Sequence, residues 1–341
     1  MNKLKVAVIG AGIFGSRHAR VFTEQPECEL TVVVDVNEER AKKVAASYNA
    51  KATNDLEKVL QDESLDIVAV ATPDHIHRLP VLRAIESGKH VFMEKPIATT
   101  LEDATAISEA AHAAKTVTMV NYSQRYLTDY AWIKQHITQG DIGQPLMATA
   151  IKHGTIFVPT SLIASWASNT SPIYFLSSHD IDLVHWFVGS DPVQVAAYEV
   201  RGVLEAKSHR THDGLNAIIK FANGASGNFH SSWIHPNTYP ATVDSYMQII
   251  GSEGAITYNY RTRKADLYNQ KSSQEITFSG ILTTTEVDGK LVGAFTDSLR
   301  HFLKCILEKR EPDTAPRKVM ATAKIQAGVL DSIGSGQMVT L

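Results

Sequence analysis

The chain has 341 residues, of which 44% are hydrophobic and 20% charged, and its formal net charge is −3. A chain of this length exceeds the usual size of one hydrophobic core, so we expect two domains. The slightly acidic charge argues against a nucleic-acid partner, which normally shows as a basic patch. No apolar run approaches the roughly 18 residues that a membrane span needs, so we expect no membrane partner.

The amino terminus and the cysteines bear on the compartment. The segment MNKLKVAVIG has a short apolar run that leads straight into glycines, which is not the pattern of a signal peptide. The two cysteines, Cys28 and Cys305, lie far apart in the sequence. Such sparse cysteines argue against a disulfide framework and favour a reducing compartment. We therefore expect a cytoplasmic protein.

Residues 1–122 alternate short β-branched runs with helical stretches. The predicted strands are 5–10, 30–35, 66–71, 90–95 and 117–122, with a further short one near 51–53, and helices are predicted over 37–48 and 101–115. Nearly continuous apolar runs indicate strands that are buried on both faces, as in a parallel sheet. Strands and helices in alternation predict right-handed βαβ units, and therefore an α/β domain with a doubly wound parallel sheet.

Residues 123–341 show a different pattern, in which strands dominate from 146 to 270. The pair Asn223-Gly224 is a strong signal for a tight hairpin within 214–234, and GSEG turns a second hairpin within 241–260. The predicted helices of this half are 128–140, 297–309 and 318–333. Strands joined by hairpins form an antiparallel sheet, so this half is predicted to be an α+β domain.

The segment VIGAGIFGSRHARVF carries a G-x-G-x-x-G motif between a predicted strand and a predicted helix. Gly10 allows a tight turn, Gly12 lets the backbone approach a pyrophosphate, and Gly15 lets the helix pack closely on the strand. The first N–H groups of the helix would then face the phosphates. Ile13 and Phe14 belong to the same predicted cofactor-binding loop. A glycine turn that binds no nucleotide is the alternative.

Asp35 ends the second predicted strand, where the adenosine ribose of a dinucleotide would lie. A carboxylate accepts hydrogen bonds from ribose hydroxyls and repels a 2′-phosphate, so NAD is favoured over NADP. Arg40 complicates this preference, although a residue at its place in the helix is expected to face solvent. The strand, the helix and the acid together favour dinucleotide binding over a plain glycine turn.

Two further segments fall at the carboxyl ends of predicted strands, where ligands bind in open α/β sheets. Thr72-Pro73 follows the strand at 66–71, and Glu94-Lys95-Pro96 lies at the carboxyl end of the strand at 90–95. We therefore expect Lys95 to point into the crevice that receives the nicotinamide. For a lone lysine, a surface position with the charged end in water would otherwise be preferred.

The segment YFLSSHDIDLVHW, residues 174–186, predicts a helix. Ser177 and Asp180 have the spacing of a capping box, with Asp in place of the usual Glu. Apolar residues recur at helical spacing, and a glycine follows them as a stop signal. They are Ile181, Val184, Val188 and Gly189. This pattern alone does not decide whether His179 is a catalytic base or an ordinary residue of the first turn.

Five segments occur in an order that resembles the glucose–fructose oxidoreductase, inositol dehydrogenase and rhizopine-catabolism family (Gfo/Idh/MocA). They are GAGIFG, ATPDHIH, GKHVFMEKPIA, HDIDLVHWFVG and IIGSEGAI. The resemblance covers essentially the whole chain and implies a Rossmann domain followed by an open, mainly antiparallel sheet. It also implies NAD(P)-linked oxidation or reduction of a sugar, cyclitol or similar polyol. Members form homodimers or homotetramers through the open sheet face.

The resemblance also implies roles for single residues. Lys95 corresponds to the family lysine that hydrogen-bonds the reacting hydroxyl and the cofactor. His179 corresponds to the general base, and Asp182 to an acidic position on the same helix face, in reach of substrate. A helix N-terminus disfavours imidazolium, so it favours a neutral His179 that can accept a proton.

One position departs from the family pattern. Many polyol-oxidising relatives have an aspartate four residues before the histidine, where this chain has Phe175. Without that carboxylate, Asp180 or Asp182 must orient the imidazole, or the substrate class or the favoured direction differs. A loss of catalysis would also fit.

Other candidate residues carry open alternatives. His153 either contacts substrate or is a solvent-facing strand histidine, and Trp166 either lines a sugar site or packs. Arg125 either reaches substrate or caps the domain junction. Asn121 is expected to meet the nicotinamide side, and His77 to support the cofactor cleft. Without Cys pairs or an HExxH-like block, we expect no metal site.

The sequence thus predicts an NAD-dependent dehydrogenase that acts on a secondary alcohol of a sugar or polyol. An NAD-dependent glycosidase, which oxidises its sugar transiently without net redox change, is one alternative. A non-catalytic sensor that binds NAD and a sugar is another. Phe175 adds weight to the sensor, whereas the presence of both Lys95 and His179 weighs against it.

Overall fold

A computed structural model describes residues 3–278 and 285–341, which fall into two compact units. The first unit comprises the described residues of Met1–Tyr126 and Ile281–Met320, and the second those of Leu127–Gly280 and Ala321–Leu341. The sequence prediction places all of 123–341 in one domain. The structure differs in assigning residues 285–320 to the first unit.

The first unit contains a six-stranded parallel sheet. Its strands are β1 (Leu4–Ile9), β2 (Cys28–Val34), β3 (Lys51–Thr53), β4 (Ile67–Val70), β5 (His90–Met93) and β6 (Thr118–Val120). Their order is β3-β2-β1-β4-β5-β6, and every neighbouring pair is parallel. The predicted doubly wound sheet is confirmed. The order reverses between β1 and β4, which is where this kind of sheet binds its ligand.

Helices connect these strands and recur in the second half of the chain. In chain order they are α1 (Ile13–Glu24), α2 (Glu38–Ala46), α3 (Leu56–Leu60), α4 (Arg78–Glu86), α5 (Leu101–Ala113), α6 (Thr128–Gln139), α7 (Pro172–Phe175), α8 (Ser178–Val188), α9 (Ala294–Leu307) and α10 (Met320–Ser335). The predicted helices are confirmed, and their ends shift by only a few residues. Within the described ranges, none of them has the length and hydropathy needed to cross a membrane.

The second unit is built on a mixed, mostly antiparallel sheet. The remaining strands are β7 (Pro145–Thr155), β8 (Pro192–Val200), β9 (Gly214–Phe221), β10 (Ser226–His235), β11 (Val243–Gly251), β12 (Gly254–Asn259), β13 (Lys264–Asn269), β14 (Ser273–Thr277), β15 (Thr285–Val287), β16 (Lys290–Val292) and β17 (Val339–Thr340). The sheet runs β14-β13-β12-β11-β7-β10-β9-β8-β17, and among its described strands only β7 and β10 pair in parallel. Strands β15 and β16 form a separate hairpin. The predicted hairpins are confirmed as β9–β10 and β11–β12.

One face of the large sheet is buried and the other is open. Along β9, Ala217 and Ile219 are almost fully buried, whereas Ile218 between them is 59% exposed. Successive side chains of a strand point to opposite faces, so this alternation separates a packed face from an exposed one. Lys152 of β7 lies on the packed face, because its ammonium reaches Asp180 of α8.

Helix α9 belongs to the first unit because its apolar face packs into that core. Phe295 and Phe302 are at most 2% exposed. The Phe302 ring lies 5.2 Å from Phe92 of β5, between ring centroids. The chain segment that carries α9 therefore completes a helical layer on the parallel sheet, and sequence position alone could not assign it there.

A buried ion pair holds α6 to the sheet of the second unit. The Asp129 carboxylate is completely buried, and Arg263 donates to it through Nε at 2.9 Å and through a second guanidinium nitrogen. The Tyr258 hydroxyl donates to the same carboxylate. A buried carboxylate is stable only when it is paired and hydrogen-bonded, and three donors meet that need here.

We expect Arg263→Met to lower the free energy of unfolding by about 3–5 kcal/mol, because the Asp129 carboxylate would stay buried without its cation. Urea denaturation followed by tryptophan fluorescence measures this change. The double variant Asp129→Asn, Arg263→Met should recover part of the loss, because it also removes the unpaired charge. Equal urea midpoints for wild type and the single variant would contradict the role of the pair.

Candidate cofactor and active site

The three motif glycines of the first unit are required for three different reasons. Gly10 has a φ of +94°, and a Cβ there would lie 2.5 Å from the carbonyl oxygen of Ala71. A Cβ at Gly15 would lie 1.6 Å from the carbonyl oxygen of Gly10, so only glycine lets α1 approach the loop. Gly12 differs, since in the described part of the chain no atom beyond its own neighbours in the sequence and the helix lies within 4 Å of its Cβ position.

The open space beside Gly12 fits a pyrophosphate. Gly12 is the N-cap residue of α1 and has no side chain to cap the first-turn N–H groups. These N–H groups and the positive end of the helix dipole suit an anion. Ile13, the next residue, is 50% exposed, and Phe14 packs under the Arg17 guanidinium at 5.5 Å. The loop therefore has the shape and polarity that a dinucleotide requires.

Asp35 at the end of β2 is fixed by three donors. Its Oδ2 accepts the Ala11 N–H at 2.8 Å, and its Oδ1 accepts the Asn37 N–H at 2.8 Å. Arg40 also donates to Oδ1, at 2.9 Å, while its side chain stays 56% exposed. The predicted solvent-facing arginine thus folds back onto the carboxylate. These bonds hold the acid beside the glycine loop, as binding to a ribose requires.

Buried His77 joins the loops that follow β4 and β5. Its ring nitrogens lie 2.8 Å from the carbonyl oxygen of Pro96 and 3.1 Å from that of Thr72. Pro73 begins a short helical turn over Asp74–Ile76, and the Lys95–Pro96 peptide is cis. The imidazole contacts only the backbone of these loops through its ring nitrogens, so it supports their shape.

Glu94 and Asn121 take part in a buried hydrogen-bond network at the carboxyl ends of β5 and β6. The Asn121 amide donates to Glu94 Oε1 at 2.9 Å, and the His18 Nε2 lies 2.9 Å from the same oxygen. Ser298 of α9 donates to Asn121 Oδ1 at 2.8 Å. Burial alone would raise the pKa of Glu94, but His18, Asn121 and the charge of neighbouring Lys95 lower it overall.

Lys95 follows Glu94 and is 8% exposed, at the carboxyl end of β5. It is therefore not a lysine that extends into solvent. Sequence reasoning missed the partners His18 and Ser298. His18 lies on the buried face of α1 with Gly15 and Phe22. Its helical spacing from these two residues predicts a buried histidine, which needs a hydrogen-bond partner. Nothing near Ser298 in the sequence indicated its contact.

In the second unit, His179 is the second residue of α8 and is half-buried. The predicted capping box is wrong. Ser177 has helical backbone angles and makes no side-chain cap bond, because α7 ends only two residues earlier. The apolar stripe, which includes the completely buried Ile181 and Val184, is confirmed. Gly189 ends the helix with a φ of +65°.

Asp180 pairs with Lys152 across the packed face of the sheet, with 2.9 Å between Nζ and Oδ1. Both side chains are almost fully buried. Burial raises the pKa of Asp180, and the Lys152 charge opposes that rise only in part. Sequence reasoning missed Lys152, although the inward positions Ala148 and Ala150 of the same strand predicted a buried lysine. Asp182, two residues on, is also completely buried.

Phe175 belongs to an apolar cluster of the second unit. Its ring centroid lies 5.8 Å from Trp166 and 6.3 Å from the buried Trp233. The cluster also contains Val158 and Leu176. An aspartate at position 175 would therefore be surrounded by aromatic and aliphatic side chains. Trp166 packs against the Phe175 ring, and its contact with a sugar stays a prediction.

His153 does not lie beside His179. Because Lys152 points toward α8, the next residue in the strand points to the open face of the sheet. There its ring lies 4.7 Å from His230 and 4.8 Å from His235. Burial, helped by these two neighbours, lowers the pKa of His153 to about 4.

In the first unit, the Arg125 guanidinium lies 3.5 Å from the carbonyl oxygen of Asp313. Within residues 3–278 and 285–341, no three His, Cys, Asp or Glu side chains are placed to hold a metal ion.

Family models match both halves of the chain. Residues 4–122 match the model described as "Oxidoreductase family, NAD-binding Rossmann fold", and residues 134–341 match "Oxidoreductase family, C-terminal alpha/beta domain". These are the two parts of the Gfo/Idh/MocA model.

Individual relatives support the same grouping. The chain is 26% identical to the scyllo-inositol 2-dehydrogenase (NAD(+)) of Bacillus subtilis (strain 168), over 96% of this chain and 93% of that protein. It is 25% identical to the levoglucosan dehydrogenase of Pseudarthrobacter phenanthrenivorans, over 77% and 75%. A solved levoglucosan dehydrogenase, in complex with NADH and levoglucosan, has the same fold, with a TM-score of 0.86 at 23% identity over 100% of this chain and 99% of that one.

The glycine loop, the fixed carboxylate of Asp35 and the matched family models agree with each other and with the resemblance seen in the sequence. The chain belongs to the Gfo/Idh/MocA family of oxidoreductases and uses NAD as its cofactor.

Proposed function

We propose that the protein is an NAD-dependent dehydrogenase that acts on a secondary alcohol of a sugar, a cyclitol or a similar polyol. The observation that carries this proposal is the position of Lys95. It is a nearly buried lysine at the carboxyl end of β5, on the sheet edge where Gly12 leaves room for a dinucleotide. The names of the inositol and levoglucosan dehydrogenases among its relatives supply the substrate class.

In the proposed reaction, the substrate C–H bond and O–H bond both break. NAD, when bound, supplies the acceptor for the hydride. Lys95 donates a hydrogen bond to the reacting oxygen and stabilises its developing negative charge. His179 takes the hydroxyl proton as general base. The buried Glu94 carboxylate precedes Lys95 in the chain and is attracted to the Lys95 charge.

Phe175 bears on which substrate is preferred. Its ring packs with Trp166 at the position where many relatives have an aspartate, four residues before His179. Aromatic rings favour contact with the C–H groups of a sugar. A sugar hydroxyl placed against the same rings would lose its hydrogen bonds to water. We propose that the substrate presents few hydroxyls to this position. An anhydrosugar such as levoglucosan fits this condition better than a fully hydroxylated inositol.

The proposed roles predict that Lys95→Ala and His179→Ala each lower kcat by about 10²-fold or more on the best substrate of a sugar and polyol panel. The panel includes levoglucosan and scyllo-inositol, and NADH absorbance reports turnover. NAD binding, measured by calorimetry, should survive in His179→Ala. Lys58→Ala, at an exposed lysine of α3, is the matched control. Wild-type turnover in both variants would overturn the proposal.

The same assay, run also with glycosides, separates the alternatives. Release of an aglycone without accumulation of NADH would identify a glycosidase, and tight NAD binding with no turnover on any substrate would identify a sensor.

A second prediction concerns the choice of cofactor. Asp35→Ser removes the carboxylate that repels a 2′-phosphate and releases Arg40, which now pairs with it. We expect the ratio of kcat/KM for NADP to that for NAD to rise by about tenfold or more, the worth of one charge-assisted hydrogen bond. Adding Arg40→Ala should cancel most of this gain. An unchanged ratio in Asp35→Ser would contradict the proposed ribose contact.

We also propose that the protein forms a homodimer or homotetramer through the open face of the large sheet. This face carries several large apolar side chains at least 37% exposed, which is unusual for a surface in contact with water alone. They are Met147, Tyr198, Ile218, Ile250 and Tyr268. A second copy of the same face would cover them.

We expect Ile218→Asp to lower the oligomeric mass measured by sedimentation equilibrium, because it places a charge in the buried centre of the proposed interface. Leu79→Asp is the control, since Leu79 is 64% exposed on α4 of the first unit. An unchanged mass for Ile218→Asp, or an equal fall in the control, would contradict the interface.

A further inference from the structure

Buried His18 of α1 has no role in the reaction proposed above. It is completely buried, and its ring lies against Phe92 of β5 and Phe295 of α9, with 5.2 Å and 4.8 Å between ring centroids. Its Nε2 lies 2.9 Å from Oε1 of Glu94, the residue before Lys95. A polar ring buried among aromatic side chains costs free energy unless it is hydrogen-bonded. An apolar residue would avoid this cost, so the contact with Glu94 indicates a role for the imidazole.

The surroundings of the His18 ring decide which of its nitrogens carries the proton. An ionised carboxylate only accepts hydrogen bonds, so Nε2 donates to Glu94. The other nitrogen, Nδ1, is buried and contacts no donor or acceptor among the residues that the structure describes. A buried N–H group without an acceptor is rarer than a buried acceptor without a donor, so Nδ1 carries no proton. His18 is therefore a neutral ring that donates one hydrogen bond, to Glu94.

Glu94 Oε1 accepts a second hydrogen bond from another element. The Asn121 amide, after β6, donates to it at 2.9 Å, and Ser298 of α9 donates to Asn121 Oδ1 at 2.8 Å. Burial raises the pKa of Glu94, but His18, Asn121 and the charge of Lys95 lower it overall. His18 contributes the most to this lowering, so without His18 the Glu94 carboxylate would be protonated more readily.

The charge of Glu94 acts on Lys95. The Lys95 charge is among the groups that lower the pKa of Glu94, so the carboxylate and the ammonium attract each other. Glu94 is 6% exposed and Lys95 is 8% exposed, and salt screens a buried pair much less than a pair at the surface. The position of the Glu94 carboxylate therefore bears on where the Lys95 ammonium lies.

We propose that His18 is a positioning residue of the dehydrogenase. It keeps the Glu94 carboxylate charged and in one place, and this carboxylate holds the Lys95 ammonium where it meets the reacting oxygen. The inference rests on the role of Lys95 in the proposed function. His18 is completely buried, so it acts only through Glu94.

The test compares two substitutions of His18 in the full chain. His18→Leu removes the donor, whereas His18→Gln keeps one, because Nε2 of both side chains is the same number of bonds from the backbone. We expect His18→Leu to lower kcat by about tenfold, the worth of one hydrogen bond to a charged group, and His18→Gln to stay within about threefold of wild type. The Kd for NAD, measured by calorimetry, should change little in both variants. Because α1 begins at the glycine loop, a merely structural role would weaken NAD binding together with kcat.

Phe22→Leu is the matched control. Phe22 is completely buried on the same face of α1, packs against Phe92, and has no group that could hydrogen-bond Glu94. The control should lower Tm and leave kcat, measured well below Tm, at the wild-type value. If His18→Leu does not fold, Ser298→Ala takes its place. This variant frees the Asn121 amide and should lower kcat by about threefold, since it removes a hydrogen bond between neutral groups.

A double-mutant cycle tests whether His18 acts through Lys95. In the Lys95→Ala background, His18→Leu should lower the residual kcat by less than about twofold, because the ammonium that His18 positions is absent. Wild-type kcat in His18→Leu, an equal fall in both backgrounds, or His18→Gln as slow as His18→Leu would each rule the proposal out. Wild-type turnover in Lys95→Ala would instead show that the proposed function itself has failed.

Discussion

Parallel strands end at one common edge of their sheet, and this constraint brings together residues that are far apart in the first half of the chain. Gly10, Asp35, Thr72 and Lys95 follow β1, β2, β4 and β5, so they lie along one edge although 85 residues separate the first from the last. The reversal of strand order between β1 and β4 then opens the crevice for the dinucleotide. Without the parallel order, the glycine loop and Lys95 would not lie along one edge of the sheet.

Each residue with a proposed chemical role stands next to a buried carboxylate that another element of its own unit holds. Glu94 precedes Lys95 and contacts His18 and Asn121, while Asp180 follows His179 and pairs with Lys152. Buried ion pairs contribute little net stability, because desolvation offsets their attraction. Here the buried carboxylates serve to hold the backbone of the neighbouring residues in place. A carboxylate fixed by two elements restricts the backbone of its neighbour, which a reactive side chain needs for a defined geometry.

The fold and the cofactor loop could be predicted because their signals are local. Apolar runs, the Asn223-Gly224 turn and the motif glycines each act within a few residues. The missed features depend on distant contacts. Ser177 and Asp180 have the spacing of a capping box, but α7 ends just before Ser177, which has helical backbone angles and makes no cap bond. Asp180 pairs instead with Lys152 of the distant strand β7. Likewise, α9 is an ordinary amphipathic helix, and only packing against β5 shows which core it joins.

Strand β6 links the two edges of the first unit. Thr118 begins it at one edge, and Asn121 follows its last residue, about 10 Å away at the rise of a β-strand. The segment after α9 binds this strand, since Thr314 donates its hydroxyl to the Val120 carbonyl at 2.7 Å. The amide of Asn121 in turn holds Glu94, the residue before Lys95. The segment after α9 is therefore joined to the backbone before Lys95 through one short, buried series of contacts.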